Sequence, residues 1–243
     1  AGLRAVMAAG NAEIRRLIAL GLPVYCGGPR GDEVAFTFDD GPGVYTHLAL
    51  KKLRQAGERA TFFVVGKSID AFPGYLRGEL RVGALGDHTY THPDLATLAS
   101  AQVTSQLERT AELIRRESGQ QVDLWRPPYE AADASVARIA RRLGLLEVLW
   151  SVDSRDSLGA NWAQIARLVE AGLRPGAIVE LHENRGQTIR ALGILLPYLR
   201  RRHLRSVSVP ELMASDSPSP AQLRRGWIGC GERPGTRLGI GAA

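Results

Sequence analysis

The stretch EVAFTFDDGP, residues 33–42, decides how this chain is read. Its first six residues are short, mostly apolar and rich in strand formers, the pattern of a buried β-strand. Two aspartates and a Gly-Pro pair end the run. In parallel α/β architectures, reactive groups collect where strands end at their carboxyl edge. Asp39 and Asp40 therefore stand where chemistry is expected.

Working outward, strand and helix patterns alternate. A helix over 46–56 leads to a second strand, ATFFVV (60–65), then a less regular helical region (67–80) and strand-like VGAL (82–85). A long helix covers about 100–117, with Leu107, Leu113 and Ile114 among its apolar positions. Short VDLW (122–125), a helix at 133–143 and LEVLW (146–150) follow. Next come a helix at 161–172, AIVEL (177–181), a helix at 187–202 and LRSVSV (204–209). Pro197 is expected to kink or restart the last helix. About seven strand–helix units predict one α/β domain, a closed or nearly closed β/α barrel rather than an open doubly wound sheet. No Gly-rich phosphate loop follows the first strand, which argues against nucleotide binding. Residues 1–30 read as a helical arm with Ile14, Leu17 and Ile18 on one face. Residues 31–214 read as the catalytic domain. Residues 215–243 read as a polar, proline-rich tail lying loosely on the surface.

A chain of 243 residues with 44% hydrophobic and 23% charged side chains is long enough for a large core, and excludes a collagenous or wholly disordered protein. The net charge of +6 suggests an anionic partner such as a cell-wall polymer. The basic residues are nearly all arginine, with Lys51, Lys52 and Lys67 the only lysines, and no nucleic-acid partner is expected. No run approaches the ~20 apolar residues of a membrane span. Residues 1–20 are broken by Asn11, Glu13, Arg15 and Arg16, so no signal segment is expected in this chain. Cys26 and Cys230 are either two unrelated buried thiols or one disulfide joining arm to tail. The second alternative implies an oxidising, extracellular or cell-envelope compartment.

Every polar cluster falls at the same strand edge: TFDDGP (37–42), DHTYTH (87–92), RPPY (126–129), DSRD (153–156) and LHEN (181–184). His88 and His92 are four apart, so a helical turn ended by Pro93 would put both imidazoles on one face. Asp40 would complete a three-ligand set with open positions, the pattern of a catalytic metal centre. A lone HxxxH is common. Here, however, three of only five histidines lie at strand ends, and two adjacent buried aspartates call for a cation. Nitrogen and oxygen ligands suit zinc, and also cobalt, nickel or manganese. With Asp40 on the metal, Asp39 is free as a base, His182 is the natural proton donor, and Asp156 would orient it.

In this order the five segments resemble the motifs of the polysaccharide deacetylases, the family 4 carbohydrate esterases with the NodB-homology domain. The resemblance covers about residues 33–210. It implies a distorted (β/α)7 barrel that removes N-acetyl, or sometimes O-acetyl, groups from a glycan such as peptidoglycan or chitin oligomers. It implies Asp40, His88 and His92 as metal ligands, Asp39 as base, Arg126 as its partner, the Tyr129 N–H in the oxyanion hole, and His182 as acid paired with Asp156. An acetylated glycan is thus the expected partner, and the chain is expected to act as a monomer.

Three positions depart from the family pattern. Ser157 replaces a tryptophan and Glu180 a leucine, the two apolar walls of the acetyl pocket. Glu130 replaces a glycine. An unpaired buried carboxylate is costly, so Glu180 is expected to turn away or to pair. These departures give a rival reading, a metal-holding homologue that binds glycan with little or no catalysis. A third class, a non-haem iron oxygenase, shares the two-histidine, one-carboxylate pattern, but the second aspartate and His182 favour hydrolysis. Trp125, Trp150 and Trp162 could stack on sugar rings, and core packing is the better reading for the first two, in strands. His47 and His203 read as surface residues, Asp153 as a loop or cap residue.

Overall fold

The computed structural model describes residues 3–231. After helix α1 (Leu3–Leu20) the chain enters β1 (Glu33–Gly41), α2 (Thr46–Ala56), β2 (Ala60–Val64), α3 (Gly66–Ala71), α4 (Leu76–Val82) and β3 (Gly83–Asp87). It continues through α5 (Ser100–Ser118), β4 (Leu124–Trp125), α6 (Ala134–Arg142), β5 (Leu146–Glu147), β6 (Val152–Asp153), α7 (Trp162–Gly172) and β7 (Ile178–His182). Last come α8 (Gly186–Arg201), β8 (Arg205–Ser206), α9 (Val209–Ser215) and α10 (Pro220–Arg224).

All strand pairs are parallel, in the order β5-β4-β3-β2-β1-β7-β6, with β8 added beside the start of β1. This is the expected barrel type, curled and left open between β5 and β6. The N-terminal arm fills that seam. Val24 forms a parallel bridge with Val148 beyond β5, and Cys26 an antiparallel one with Ala177 at the foot of β7. Cys26 is disulfide-bonded to Cys230, so the alternative of two separate thiols does not hold.

Alternation along the strands sorts the core into two layers. Phe36, Phe38, Phe62, Val179 and Leu181 face outward under the helices. Ala35, Phe63, Leu124, Val148 and Ile178 face inward, where Ile14 and Leu17 of α1 and Leu212 and Met213 of α9 close the lower end. The inward parity continues upward through Thr37 and Asp39 on β1 and Glu180 and His182 on β7. Local signals place the helices: Asp133 caps α6, accepting from the Ser135 and Val136 N–H groups at 2.8 and 2.9 Å, and Asn161 caps α7.

Several expectations need correction. The 67–80 region is two short helices, α3 and α4. LEVLW and LRSVSV shrink to two paired residues each, so Trp150 lies outside a strand, although Trp125 is core. α8 runs through Pro197 without restarting. The tail is not loose as far as it is described. It forms α10, buries Leu223 and Cys230, and Asp216 accepts hydrogen bonds from the Arg30 side chain at 2.6 and 2.9 Å. The rest of the expected tail, 232–243, lies outside the described residues. Among the described residues no helix is long and apolar enough to cross a membrane.

The disulfide closes a loop of 204 residues in sequence. Such a cross-link restricts the unfolded chain strongly. Replacing both cysteines by serine is expected to lower the unfolding free energy by about 2–4 kcal/mol in urea denaturation. An unchanged midpoint would show that the seam holds the arm without the bridge.

Candidate active site

In a regular strand Asp39 and Asp40 would point to opposite faces. β1 avoids this with a bulge: Asp39 pairs with Phe63 and Gly41 with Val64, leaving Asp40 as the extra residue. Asp40 has φ 68°, a left-handed conformation that turns its carboxylate onto the rim beside Asp39. Gly41 is required by crowding, since a Cβ there would lie 1.5 Å from a Glu183 carboxylate oxygen.

Asp40 Oδ1 lies 3.3 Å from His92 Nε2 and 3.7 Å from His88 Nε2. The expected helical turn between the histidines is absent. His88 directly follows β3, and Thr89 and His92 both have positive φ, 67° and 58°, which fold a tight loop. The Thr89 N–H donates to Asp87 Oδ1 at 2.7 Å, and the Thr89 hydroxyl accepts from the His92 N–H at 3.0 Å. The result is the same convergence by another route. His88 Nδ1 is 2.8 Å from the Arg126 carbonyl oxygen, so its N–H donates there and Nε2 is left with its lone pair facing Asp40. Burial lowers the His88 pKa, favouring the neutral imidazole that a metal needs. His92 Nδ1 is 3.1 Å from the Tyr129 hydroxyl. The three donor atoms lie within 4.8 Å of one another. Two oriented imidazoles and one carboxylate in that space fit a divalent ion.

Arg126 is fully buried. Its Nη1 donates to Asp39 Oδ1 at 2.8 Å and to the Thr37 hydroxyl at 2.9 Å; Nε and Nη2 donate to the Val148 and Leu149 carbonyls. Phe63 and Trp150 flank the guanidinium. Asp39 Oδ2 is left facing the site, 4.0 Å from His88 Nε2.

On β7, His182 Nδ1 is 2.7 Å from Asp156 Oδ1. Asp156 Oδ2 accepts from the His182 N–H at 2.7 Å and from the Thr188 hydroxyl. Burial pulls His182 down, but the hydrogen bond and charge of Asp156 outweigh it, with Asp39 and Glu180 adding to them, and the imidazole is pushed up to about 9. Asp156 is raised by burial, yet its bonds to His182 and Thr188 leave it below the usual carboxylate range. His182 Nε2 faces the metal triad, 4.0 Å from Asp40 Oδ2.

Glu180 neither turns away nor pairs. It faces inward, 9% exposed, in a second group with Asp39 and His182 whose nearest atoms lie within 4.8 Å. Ser157 is exposed, as are His47 and His203. Tyr129 and Glu130 both have positive φ, 59° and 54°, so Glu130 occupies a conformation that favours glycine. Asp153 caps its own loop, accepting from the Arg155 N–H. Three contributors escaped the sequence reading. The Thr46 hydroxyl donates to buried Glu183 at 2.5 Å, the Asn184 amide to Asp40 Oδ2 at 3.4 Å, and Thr188 holds Asp156. The segment LHEN was legible, but only His182 in it carried a recognisable role.

A family model described as polysaccharide deacetylase matches residues 27–148. The peptidoglycan-N-acetylglucosamine deacetylase of Bacillus cereus is 32% identical over 186 residues, 74% of this chain and 68% of that protein. A chitooligosaccharide deacetylase of Bradyrhizobium is 35% identical over 74% of this chain and 90% of its own length. Against PgdA of Listeria monocytogenes, 34% identical, the match spans only 38% of that protein. Among solved structures, the Bc1960 peptidoglycan N-acetylglucosamine deacetylase superposes with TM-score 0.75 at 31% identity, over 79% of this chain and 92% of that one. A family pseudoenzyme from Bacillus anthracis gives 0.74 at 27%, over 79% and 68%.

Removing the charge at Asp156 should release His182. In chelated protein, imidazole NMR is expected to show His182 protonated until pH rises to about 9, and titrating near or below about 6.5 in Asp156→Asn. Because the folded pKa of His182 is the higher one, its contribution to stability is full below about 6.5 and fades as pH rises through about 9, whereas that of Asp156, held below its usual range, is lost as pH falls through its folded value. A His182 titration unmoved by the substitution would refute this pairing.

Proposed function

Because the chain belongs to the polysaccharide deacetylase family, we propose that it hydrolyses acetamide and related short N-acyl groups on a glycan, of which peptidoglycan and chitin oligomers are the first choices. The observation that carries this reading is the placement of Asp39 and His182 in one layer of the barrel, within 4.8 Å of each other and beside the Asp40–His88–His92 triad.

The triad would hold one divalent ion, zinc by preference, which lowers the pKa of water and polarises a carbonyl when bound. Asp39 takes a proton from the attacking water through Oδ2, the oxygen Arg126 leaves free. The carbonyl oxygen gains charge as the water adds, and the Tyr129 N–H helps hold it. His182 enters already protonated and delivers its proton to the departing amine. Asp156 keeps Nδ1 bonded, so Nε2 is the nitrogen that donates. The products are a carboxylate and a free amino sugar. The disulfide fits an extracellular or envelope setting, and a substrate taken one acyl group at a time needs only a monomer.

Glu180 favours the rival reading of a weak or inactive glycan-binding homologue, because a carboxyl replaces an apolar wall at the reacting layer.

Assays on N-acetylated glycan oligomers should separate the two. Acetate release is expected to stop on chelation, to return with zinc or cobalt, and to fall about 10²–10⁴-fold in Asp39→Asn. His88→Ala should lower the metal content of purified protein. Unchanged acetate release in Asp39→Asn would remove Asp39 as the base, and no release from any acylated glycan would leave the binding reading.

A further inference from the structure

The pairing of β1 with β7 builds the barrel interior in layers: Ala35 beside Ile178, Thr37 beside Glu180, Asp39 beside His182. The bottom layer is apolar and closed by α1 and α9. The top layer holds the groups assigned to proton transfer. Glu180 lies between them and forms the floor of the site.

Its surroundings offer it nearby positive charge, on His182 and Arg126, but no hydrogen bond. No described residue hydrogen-bonds its carboxyl group. The neighbouring Thr37 hydroxyl already donates to the Val179 carbonyl at 2.7 Å and accepts from Arg126. The nitrogens of Arg126 are engaged with Asp39, Thr37 and two backbone carbonyls. Burial first, and the nearby Asp39 second, raise Glu180 well above the usual carboxylate range. That direction favours the protonated acid, which has one O–H to donate, and in either form its oxygens can accept.

The two halves of the substrate can be assigned by size. The reacting carbon must lie between Asp39 and His182. The barrel below is packed with side chains, so a glycan cannot enter it and stays above the rim. The small acyl half must then point inward, toward Thr37 and Glu180. An acetyl methyl there would leave a buried carboxyl group without a partner, at a cost in binding. A hydroxyl on the carbon next to the carbonyl would meet it with a hydrogen bond.

We infer that Glu180 is the acyl-selecting residue, and that this chain hydrolyses 2-hydroxyacyl amides of the glycolyl type on a glycan in preference to acetyl amides. The inference rests on the N-acyl hydrolase reading above. The reaction is the same: water adds to the carbonyl carbon, the carbon–nitrogen bond breaks, and protons pass by way of Asp39 and His182 to the amine. Glycolate and the amino sugar leave.

The test is kcat/KM on matched chitin oligomers carrying N-acetyl or N-glycolyl groups, with zinc or cobalt added. The unaltered chain is expected to favour glycolyl by about tenfold or more. Glu180→Gln, which keeps a donor and an acceptor, should retain that preference, and Glu180→Leu should reverse it. An acetyl preference in the unaltered chain, or a ratio unmoved by Glu180→Leu, overturns this inference while leaving the hydrolase reading intact. Turnover of neither substrate by any of the three proteins defeats the hydrolase reading, and this one with it.

Discussion

A guanidinium with no solvent access organises this site. Arg126 is always charged, and burying it is tolerable only with its hydrogen bonds made and a counter-charge beside it. Asp39 supplies the charge, Thr37 and the Val148 and Leu149 carbonyls the remaining acceptors. These partners come from β1 and from the segment after β5. The backbone of the same residue fixes His88 through its carbonyl oxygen. One residue thus ties Asp39, the proposed base, and His88, a proposed metal ligand, to the segment after β5. Neutralising Asp39 would strand a buried cation, so Asp39 serves the fold whatever chemistry it performs.

The rim is built where regular strand geometry is broken. The bulge at Asp40 lets neighbouring carboxylates share a face, and positive φ at Asp40, Thr89 and His92 brings the triad together. Left-handed conformations at residues with side chains cost about 1–2 kcal/mol each. They persist because the surroundings overdetermine them: Thr89 is held by Asp87, His92 by Thr89 and Tyr129.

The parallel sheet was legible because the apolar runs of β1, β2 and β7 record burial on both faces. The site residues were legible because strand ends collect them. What escaped has physical causes. The two-residue strand β6 is too short for periodicity to report, and the apolar runs at β5 and β8 overstate how far those strands pair. The helical turn proposed for His88 and His92 was wrong because spacing alone cannot distinguish a turn of helix from a loop with two left-handed residues. The tail from Ser215 reads as polar, yet the Cys26–Cys230 bridge and the Arg30–Asp216 pair hold its described part in place. Neither link has a local signature.

Glu180 escaped for a further reason. A carboxylate at an inward position contradicts the strand pattern around it, and the general cost of burying charge argued that it must turn or pair. Strand parity allowed no turn, since Val179 and Leu181 are committed to the outer core. Arg126 directs its hydrogen bonds to Asp39, Thr37 and two backbone carbonyls and makes none to Glu180. The remaining escape is to give up the charge, and burial beside Asp39 favours that. A protonated acid facing the reacting layer has a proton to donate, and no hydrogen bond joins it to Thr37, whose hydroxyl is bonded to the Val179 carbonyl and to Arg126. Among the described residues the protein supplies no partner, which leaves the acyl group of the substrate as the group positioned to do so.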